Sequence, residues 1–246
     1  MDNRPATPNP SRYSIGKRIH LEVLWWQFRL SQPKTHKRLQ KRRRPAVNSD
    51  YSYHPFDERR ALFIHIPKCA GVSLSRALFG NLAGGHKPLT HYCRVFEPRL
   101  LLAYFKFTIV RNPWDRLVSA YFFLKKGGMD AADRDWASRH LADFADFEDF
   151  VRRWVNPHNI WQGEHFYPQS YFVDSGRYPV ELDFVGRFET LDRDFAHIAE
   201  RIDIDVTLAK HNQSGHRHYA DYYSPTTRDI VAAVYAEDIR RFGYAF

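Results

Sequence analysis

The segment from Ala61 to Gly80, ALFIHIPKCAGVSLSRALFG, places the strongest constraint on the fold. Residues 61–66 are apolar and rich in β-branched and aromatic side chains, which predicts a short strand, and residues 73–79 follow helical spacing. The loop between them holds Lys68, Gly71 and Ser73, and we expect the serine to cap the helix. Backbone N–H groups at a helix start bind anions. The segment therefore predicts a strand, an anion-binding loop and a helix.

This loop differs from a Walker A loop. That motif has the order Gly-x-x-x-x-Gly-Lys-Ser/Thr, whereas Lys68 comes three residues before Gly71. A nucleoside triphosphate with magnesium is therefore disfavoured. An ordinary strand-to-helix turn is the alternative interpretation of this segment taken alone.

A second motif follows the alternating stretch Phe105–Val110, which predicts another strand. It reads RNPWDRLVSAY from Arg111 to Tyr121, with Pro113 placed for the first turn of a helix that Gly127-Gly128 would end. Arg111 would lie at the carboxyl end of the strand and Ser119 about two turns into the helix. Both are placed to bind a second phosphate.

The two motifs resemble those of sulfotransferases that use 3′-phosphoadenosine-5′-phosphosulfate (PAPS). IPKCAGVS is similar to their 5′-phosphosulfate loop and RNPWDRLVSAY to their 3′-phosphate motif. The resemblance is to the carbohydrate branch, which includes the heparan 2-O- and chondroitin sulfotransferases and bacterial relatives, and runs from about Ala61 to Phe246. Pro168-Gln169, DFVGRFETLDRDF and the terminal FGYAF share it.

The resemblance implies the residues that bind the donor. Lys68 would hold the bridging oxygen and the leaving 5′-phosphate, and Arg111 and Ser119 would bind the 3′-phosphate. Arg217, in a late polar loop, would clamp that phosphate, although a solvated loop is the alternative. The rest of the phosphosulfate loop would contribute the Ser73 hydroxyl and backbone N–H groups from Cys69, Ala70, Gly71, Val72 and Ser73. The product would be 3′-phosphoadenosine-5′-phosphate (PAP), and the scheme requires no metal.

Two histidines are candidates for the general base that takes the acceptor proton. His86 lies in a glycine-flanked loop, at a position where relatives carry a histidine, and an imidazole suits proton transfer near neutral pH. His91 is the second candidate, which would otherwise contact substrate or face solvent. His165 and Gln169 belong to a loop where relatives have His-x-x-Pro-Gln, and would contact the acceptor or make loop hydrogen bonds.

The charge lies at one end of the chain. Residues 1–50 carry 12 Lys/Arg against three acidic residues, a net charge of +9, whereas residues 51–246 carry 25 basic and 25 acidic residues. We therefore predict a basic N-terminal extension over residues 1–50, partly disordered, and a single sulfotransferase domain over 51–246. Binding of nucleic acid by the domain surface is disfavoured.

Within the extension, residues 15–30 predict an amphipathic helix, followed by the basic segment Lys34–Arg44. The helix is too short and too charged to span a bilayer. Either it packs on the domain beside a solvated basic linker, or residues 15–44 contact an anionic membrane peripherally. We expect removal of residues 1–50 to leave the domain folded.

Only two cysteines, Cys69 and Cys93, occur in the chain. They provide no disulfide framework and no paired ligand spacing for zinc, so we expect a reducing cytoplasm. Peripheral contact with the inner face of a membrane is compatible with that location.

The remaining elements alternate. Helices are predicted over 90–103, 130–155 and 191–202, a strand over 180–188, and a last helix from Ser224-Pro225 to Gly243. In the helix over 130–155, Phe144, Phe147, Phe150, Val151 and Trp154 form a predicted buried stripe. Strands alternating with helices predict an α/β fold with a parallel sheet flanked by helices, of the P-loop NTPase type.

The function predicted is sulfuryl transfer from PAPS to a hydroxyl group, with a saccharide or glycan as the favoured acceptor. One alternative is a P-loop-type small-molecule kinase, for which Asp183 would be an acidic magnesium ligand. The other is a protein of the same fold that binds the nucleotide without catalysis.

Overall fold

The computed structural model describes residues 12–45, 49–208 and 217–246 of the 246-residue chain. These residues pack into two compact units. Unit 1 takes its described residues from the ranges 1–66, 70–109 and 172–211, and unit 2 from 67–69, 110–171 and 212–246. The prediction that the first residues are disordered falls largely on residues 1–11, which lie outside the described ranges. The domain boundary at residue 50 stays a prediction.

The described residues form a series of mostly short helices and three strands. In chain order, the helices and strands are α1 (Ile15–Ser31), α2 (Pro33–Lys41), α3 (His54–Arg59), β1 (Ala61–Ile64), α4 (Gly71–Phe79), α5 (Leu89–Val95), α6 (Pro98–Ala103), β2 (Phe105–Val110), α7 (Pro113–Lys125), α8 (Ala131–His140), α9 (Phe147–Trp154), α10 (Gln169–Val173), β3 (Phe184–Arg187), α11 (Leu191–Arg201), α12 (Pro225–Val234) and α13 (Ala236–Phe242). Short 3-10 turns lie at Asn159–Gln162, Glu164–Phe166, Phe188–Thr190 and Tyr219–Tyr222.

The strands form one sheet in the order β1-β2-β3. β1 and β2 run parallel, with Ala61 opposite Phe105 and Ile64 opposite Thr108. Every residue of these two strands is buried, as expected of parallel strands covered on both faces. The predicted α/β class is therefore confirmed as a mixed fold with a three-strand sheet.

A buried ion pair fixes the segment before β3 in unit 1. Lys106 is fully buried, and its Nζ lies 2.9 Å from Asp183 Oδ2 while donating to the carbonyl oxygens of Leu101 and Tyr104. The Asp183 carboxylate also accepts from the backbone N–H of Lys106 and pairs with Arg12. Asp183 thus precedes its strand and is held by cations, which disfavours its predicted role as a magnesium ligand.

Several predicted boundaries are wrong, and local interactions explain them. The helix predicted over 90–103 is broken because Pro98 begins α6, and the residue before a proline is driven to extended backbone. The helix predicted over 130–155 is also broken, because the Asp146 side chain accepts from Asp149 N–H and so caps a separate α9. The strand predicted over 180–188 is reduced to β3, and the strand predicted over 61–66 ends at Ile64.

The N-terminal helices pack within unit 1. α1 contacts α5 and α6, and α2 contacts α5. α1 buries Leu21, Leu24, Trp25 and Phe28. The basic segment predicted as a linker is instead helix α2, which starts at Pro33 and buries Leu39. Because this packing buries apolar side chains of residues 1–50, it argues against the prediction that these residues can be removed without loss of folding.

An aromatic core organises unit 2. The predicted stripe on α9 is buried at Phe147, Phe150, Val151 and Trp154, while Phe144 is partly buried. These side chains meet Tyr121 of α7 and Tyr235, whose hydroxyl donates to Phe166 O at 2.7 Å. The core thereby anchors α7, which carries the RNPWDR motif.

Two neighbouring residues test the packing of α1. Leu24→Ala should lower the free energy of unfolding by about 2–4 kcal/mol, because it leaves a cavity against the helices of unit 1. Val23→Ala should change it by less than about 0.5 kcal/mol, because Val23 is 47% exposed. Urea unfolding followed by circular dichroism measures both. Equal effects for the two variants would contradict this packing.

Candidate functional site

The predicted anion-binding loop connects β1 to α4. Two of its non-glycine residues, Lys68 (φ 69°) and Ala70 (φ 60°), have left-handed backbone. Ala70, and not Ser73, is the N-cap, because α4 already begins at Gly71 and Ser73 is its third residue. The predicted capping role of Ser73 is therefore wrong. Its N–H donates to Ala70 O at 3.2 Å, which closes the first turn.

The start of α4 lies against a histidine that the motifs alone do not single out. In unit 1 a Cβ placed on Gly71 would lie 1.9 Å from the imidazole of His65, so only glycine fits at this position. His65 stacks on Phe63, with ring centroids 5.5 Å apart. The His86 ring lies edge-on to His65, with centroids 4.4 Å apart. The predicted base is thus placed beside the first turn of α4.

His91 has a different environment. Its Nε2 lies 2.7 Å from the Tyr53 hydroxyl, and burial, followed by the charges of Lys87, Arg42 and Arg94, lowers the pKa of His91 to about 3. An imidazole with so low a pKa is a weak base at neutral pH. This geometry favours a structural role for His91.

In unit 2, Arg111 is oriented by its own helix. Asn112 caps α7 by accepting from Trp114 N–H at 3.0 Å, and Arg111 pairs with Asp115 through Nε at 2.7 Å and Nη2 at 2.9 Å. Ser119 is a further four residues along α7 and is 8% exposed. The predicted 3′-phosphate residues are thus eight positions apart, with Arg111 just before α7 and Ser119 about two turns further along the helix.

Two arginines hold the backbone of the loop. Arg111 Nη1 donates to Lys68 O at 3.1 Å, and Arg116 Nε donates to Pro67 O at 2.9 Å. Arg116 is almost fully buried and also donates to His165 O at 3.2 Å. Charge-assisted hydrogen bonds to buried carbonyl groups are among the stronger kinds. They fix the backbone that carries Lys68.

The Lys68 ammonium lies in an environment with excess positive charge. Its Nζ lies 3.5 Å from the centroid of the Phe123 ring. Burial, followed by the charge of Arg111, lowers the pKa of Lys68 to about 8; Arg116 acts in the same direction, while Asp133 and Cys69 oppose the change. An anion bound at this position would offset the repulsion among these cations.

Gln169 has a structural role in this region. Its side-chain amide accepts from Arg111 N–H at 2.9 Å and donates to Arg111 O at 2.8 Å, so it pairs with both backbone groups of that residue. Its own N–H and that of Ser170 donate to Asp238 of α13, each at 2.7 Å. Of the two predicted roles, the loop hydrogen-bond role is the one that this geometry favours.

His165 is held close to Lys68. Its Nε2 lies 3.0 Å from Asp133 Oδ1, and its ring packs on Phe123, with centroids 5.1 Å apart. Phe123 therefore contacts both the imidazole and the Lys68 ammonium. A contact between His165 and the acceptor stays a prediction.

Arg217 lies at a different part of unit 2. Its guanidinium packs 5.1 Å from the Tyr222 ring centroid and lines an open pocket of about 640 Å³. The other lining residues are mostly aromatic and charged: Tyr121, Phe122, Lys125, Ala145, Asp146, Phe147, Glu148, Asp221 and Tyr222. Neither Arg111 nor Ser119 lines this pocket. The predicted clamp on the same phosphate therefore gains no support from this geometry.

Sequence interpretation misses three residues of this region: His65, Arg116 and Asp133. His65 and Arg116 lie inside the quoted motifs. Arginine has several N–H donors, so the sequence could have indicated that Arg116 makes more than one hydrogen bond. Asp133 lies in a polar helix with no motif around it, and no sequence signal places it beside Lys68.

Comparison with known proteins decides the family. Residues 53–245 match the sulfotransferase family. The chain belongs to the sulfotransferase family. The matched range contains the IPKCAGVS loop, the RNPWDR motif, His86 and the His165–Gln169 loop, so each predicted site residue lies within the family region.

The chain is also similar to curated sulfotransferases. It is 28% identical to carbohydrate sulfotransferase 14 of Danio rerio over 203 residues, covering 71% of this chain and 53% of that protein. It is 28% identical to carbohydrate sulfotransferase 10 of Homo sapiens over 237 residues, covering 76% and 65%. The match thus spans about half to two thirds of these relatives. No solved structure matches the chain.

The charge of Lys68 predicts a pH-dependent stability difference. With a pKa of 10.5 when unfolded and about 8 when folded, Lys68 costs the folded state up to about 3 kcal/mol below pH 8. The unfolded chain binds the extra proton between pH 8 and 10.5, so this cost falls as pH rises through that range. Lys68→Met should therefore be more stable than the native chain at pH 7, with the difference shrinking towards pH 10.5.

Thermal and urea unfolding of both proteins at pH 7, 8.5 and 10 measures the difference. Lys126→Met, which removes an exposed lysine just after α7, is the matched control. A Lys68→Met difference that is absent at pH 7, or constant across the range, contradicts the burial of this charge.

Proposed function

We propose that the chain transfers a sulfuryl group from PAPS to a hydroxyl group of a carbohydrate. The observation that carries the proposal is the Lys68 ammonium held among Arg111 and Arg116, within a loop of the sulfotransferase family. The names of the relatives, all carbohydrate sulfotransferases, support a saccharide or glycan as the acceptor. The α/β sheet is consistent with a P-loop NTPase-like fold.

The residues present fit a donor with two anionic ends. Lys68 and the backbone N–H groups at the start of α4 suit the 5′ end, with Ser73 adding a hydroxyl. Arg111, just before α7, and Ser119 on that helix suit the 3′-phosphate, which distinguishes PAPS from ATP. PAPS would supply the sulfuryl group and leave as PAP. In this proposal positioning and charge carry catalysis, with no role for a metal.

His86 is the general base in this proposal. It lies beside His65 and the first turn of α4, whereas the pKa of His91 is lowered to about 3 by burial and nearby cations. His86 would take the proton of the acceptor hydroxyl as the sulfuryl group is transferred. Lys68 would stabilise the charge that develops on the leaving phosphate.

The donor assignment predicts the nucleotide preference. Without magnesium, the protein should bind PAP much more tightly than adenosine 5′-phosphate, because only PAP carries the 3′-phosphate. Arg111→Ala should weaken PAP binding by about 1.5–3 kcal/mol, the scale of a charge-assisted hydrogen bond, and adenosine 5′-phosphate binding by less, because for that nucleotide only the hydrogen bond that holds Lys68 O is lost. Isothermal titration calorimetry measures both.

A matched control is available in unit 2. Arg153 pairs with Asp149 four residues away, as Arg111 does with Asp115, but its side chain is 57% exposed. Arg153→Ala should leave PAP affinity unchanged. Equal affinity of the native protein for the two nucleotides would remove the role given to Arg111 and Ser119.

The base assignment predicts a separation of turnover from binding. His86→Ala should lower kcat by about 10²- to 10⁴-fold, the usual contribution of a general base, and change PAP affinity little. Lys68→Ala should damage both. His91→Ala should mainly lower thermal stability, because it removes the contact with Tyr53. Radiolabelled PAPS with a panel of saccharide acceptors provides the turnover assay.

His165→Ala completes the series. If it, or His91→Ala, abolishes turnover with PAP affinity intact while His86→Ala retains near-native kcat, the base is that residue and the assignment of His86 is wrong. If the protein binds PAP but transfers sulfate to none of the saccharides, the donor assignment stands and the assignment of a carbohydrate acceptor is wrong.

A further inference from the structure

Helix α1 has two apolar faces. One face packs within unit 1 through Leu21, Leu24, Trp25 and Phe28. The other is exposed to solvent and consists of Ile15, Ile19, Val23, Trp26 and Leu30. Because a helix turns by about 100° per residue, these five residues fall within a sector of about 80° opposite the buried face. We refer to them as the outer stripe.

The outer stripe is unusually exposed for its residue types. Ile15 and Leu30 are each 74% exposed, and the other three residues are between 46% and 58% exposed. Single exposed apolar residues are ordinary on protein surfaces, but a continuous row over four turns marks an interaction surface.

The surroundings of the stripe are strongly basic. Residues 15–41 contain seven Lys/Arg and one acidic residue, Glu22, and all eight side chains are exposed. Arg18 and Arg29 flank the stripe on the same edge as Glu22, and the Arg29 guanidinium lies 4.7 Å from the Trp26 ring centroid. The exposed lysines and arginines of α2 continue this charge beyond the end of α1. No helix among the described residues is long and apolar enough to cross a bilayer.

We propose that the outer stripe docks on an anionic lipid surface, with α1 lying in the plane of the interface. Five apolar side chains would enter the boundary between headgroups and acyl chains, and Arg18 and Arg29 beside the stripe, together with the exposed basic residues of α2, would face anionic headgroups. A helix with an apolar face, a basic surround and an interfacial tryptophan has the composition that such surfaces bind. Each lysine or arginine near an anionic leaflet strengthens attachment.

Charge distinguishes lipid from other occupants. A second copy of the chain would bring a second set of basic helices against the first, and like charges would oppose that contact. Nucleic acid would satisfy the positive charge, but its phosphate backbone offers no apolar surface for five large side chains. Of these three occupants, only an anionic bilayer complements both the charge and the apolar stripe.

Vesicle sedimentation tests the proposal with the full chain. The probe is vesicles of phosphatidylcholine with about 30% phosphatidylserine, compared with phosphatidylcholine alone. The protein should sediment with the anionic vesicles at least about tenfold more than with the neutral ones, and raising the salt from about 0.1 to 0.5 M should reduce that binding by screening. A native protein that stays in the supernatant with both overturns the proposal.

Substitutions in the stripe, with a matched control elsewhere, separate the stripe from general surface effects. Val23→Ser should reduce binding to anionic vesicles several-fold, and Ile19→Ser/Val23→Ser at least about tenfold. Val185→Ser, on a valine of similar exposure (41% against 47%), should leave it unchanged. Circular dichroism confirms that each variant is folded. Native-like vesicle binding by the folded double variant overturns the proposal.

Tryptophan fluorescence gives a second readout. Vesicles with brominated acyl chains should quench the native protein, and Trp26→Phe should remove most of that quenching. Trp161→Phe is the matched control, since Trp161 is 45% and Trp26 46% exposed. Quenching that depends on Trp161 in place of Trp26 overturns the proposal. Light scattering without lipid gives one more test. A dimer that the Ile19→Ser/Val23→Ser substitutions dissociate also overturns the proposal, because a second copy then covers the stripe.

Discussion

The conformation of the loop around Lys68 depends on two arginines that bind its carbonyl groups. Arg116 holds Pro67 O and Arg111 holds Lys68 O, and both arginines belong to the segment that opens α7. Lys68 has left-handed backbone, which costs a non-glycine residue about 1 kcal/mol or more. The two charge-assisted hydrogen bonds compensate for this cost. Contacts within the protein therefore hold the loop in place.

The same arginines create the electrostatic character of the region. They position the lysine and, as cations, they also disfavour its charged form. Asp115 and Asp133 offset part of this repulsion, and an anion would offset more. A group of cations kept close together at a cost in stability is a frequent feature of functional sites, because the strain is relieved when the ligand binds.

Sequence interpretation succeeds where the information is local. The β2 strand, Pro113 at the first turn of α7 and the buried face of α9 follow from spacing and from residue preferences. It fails where a distant side chain decides the outcome: no pattern shows that Asp133 reaches Lys68, or that the Gln169 amide is used by Arg111. It also assigns the basic segment after α1 to a linker, because most residues of that segment are charged or polar and Leu39 is the buried apolar residue that α2 contributes.

The last helix is connected through a short relay of hydrogen bonds to Arg111, which is predicted to bind an anion. Asp238 accepts from the backbone of Gln169, and Gln169 in turn pairs with both backbone groups of Arg111. The orientation of the Arg111 side chain is set within α7, but the position of its backbone depends on a residue 127 positions later in the chain. A premature stop codon that removes α13 would therefore release this backbone. The carboxyl terminus of this chain is a poor place for trimming.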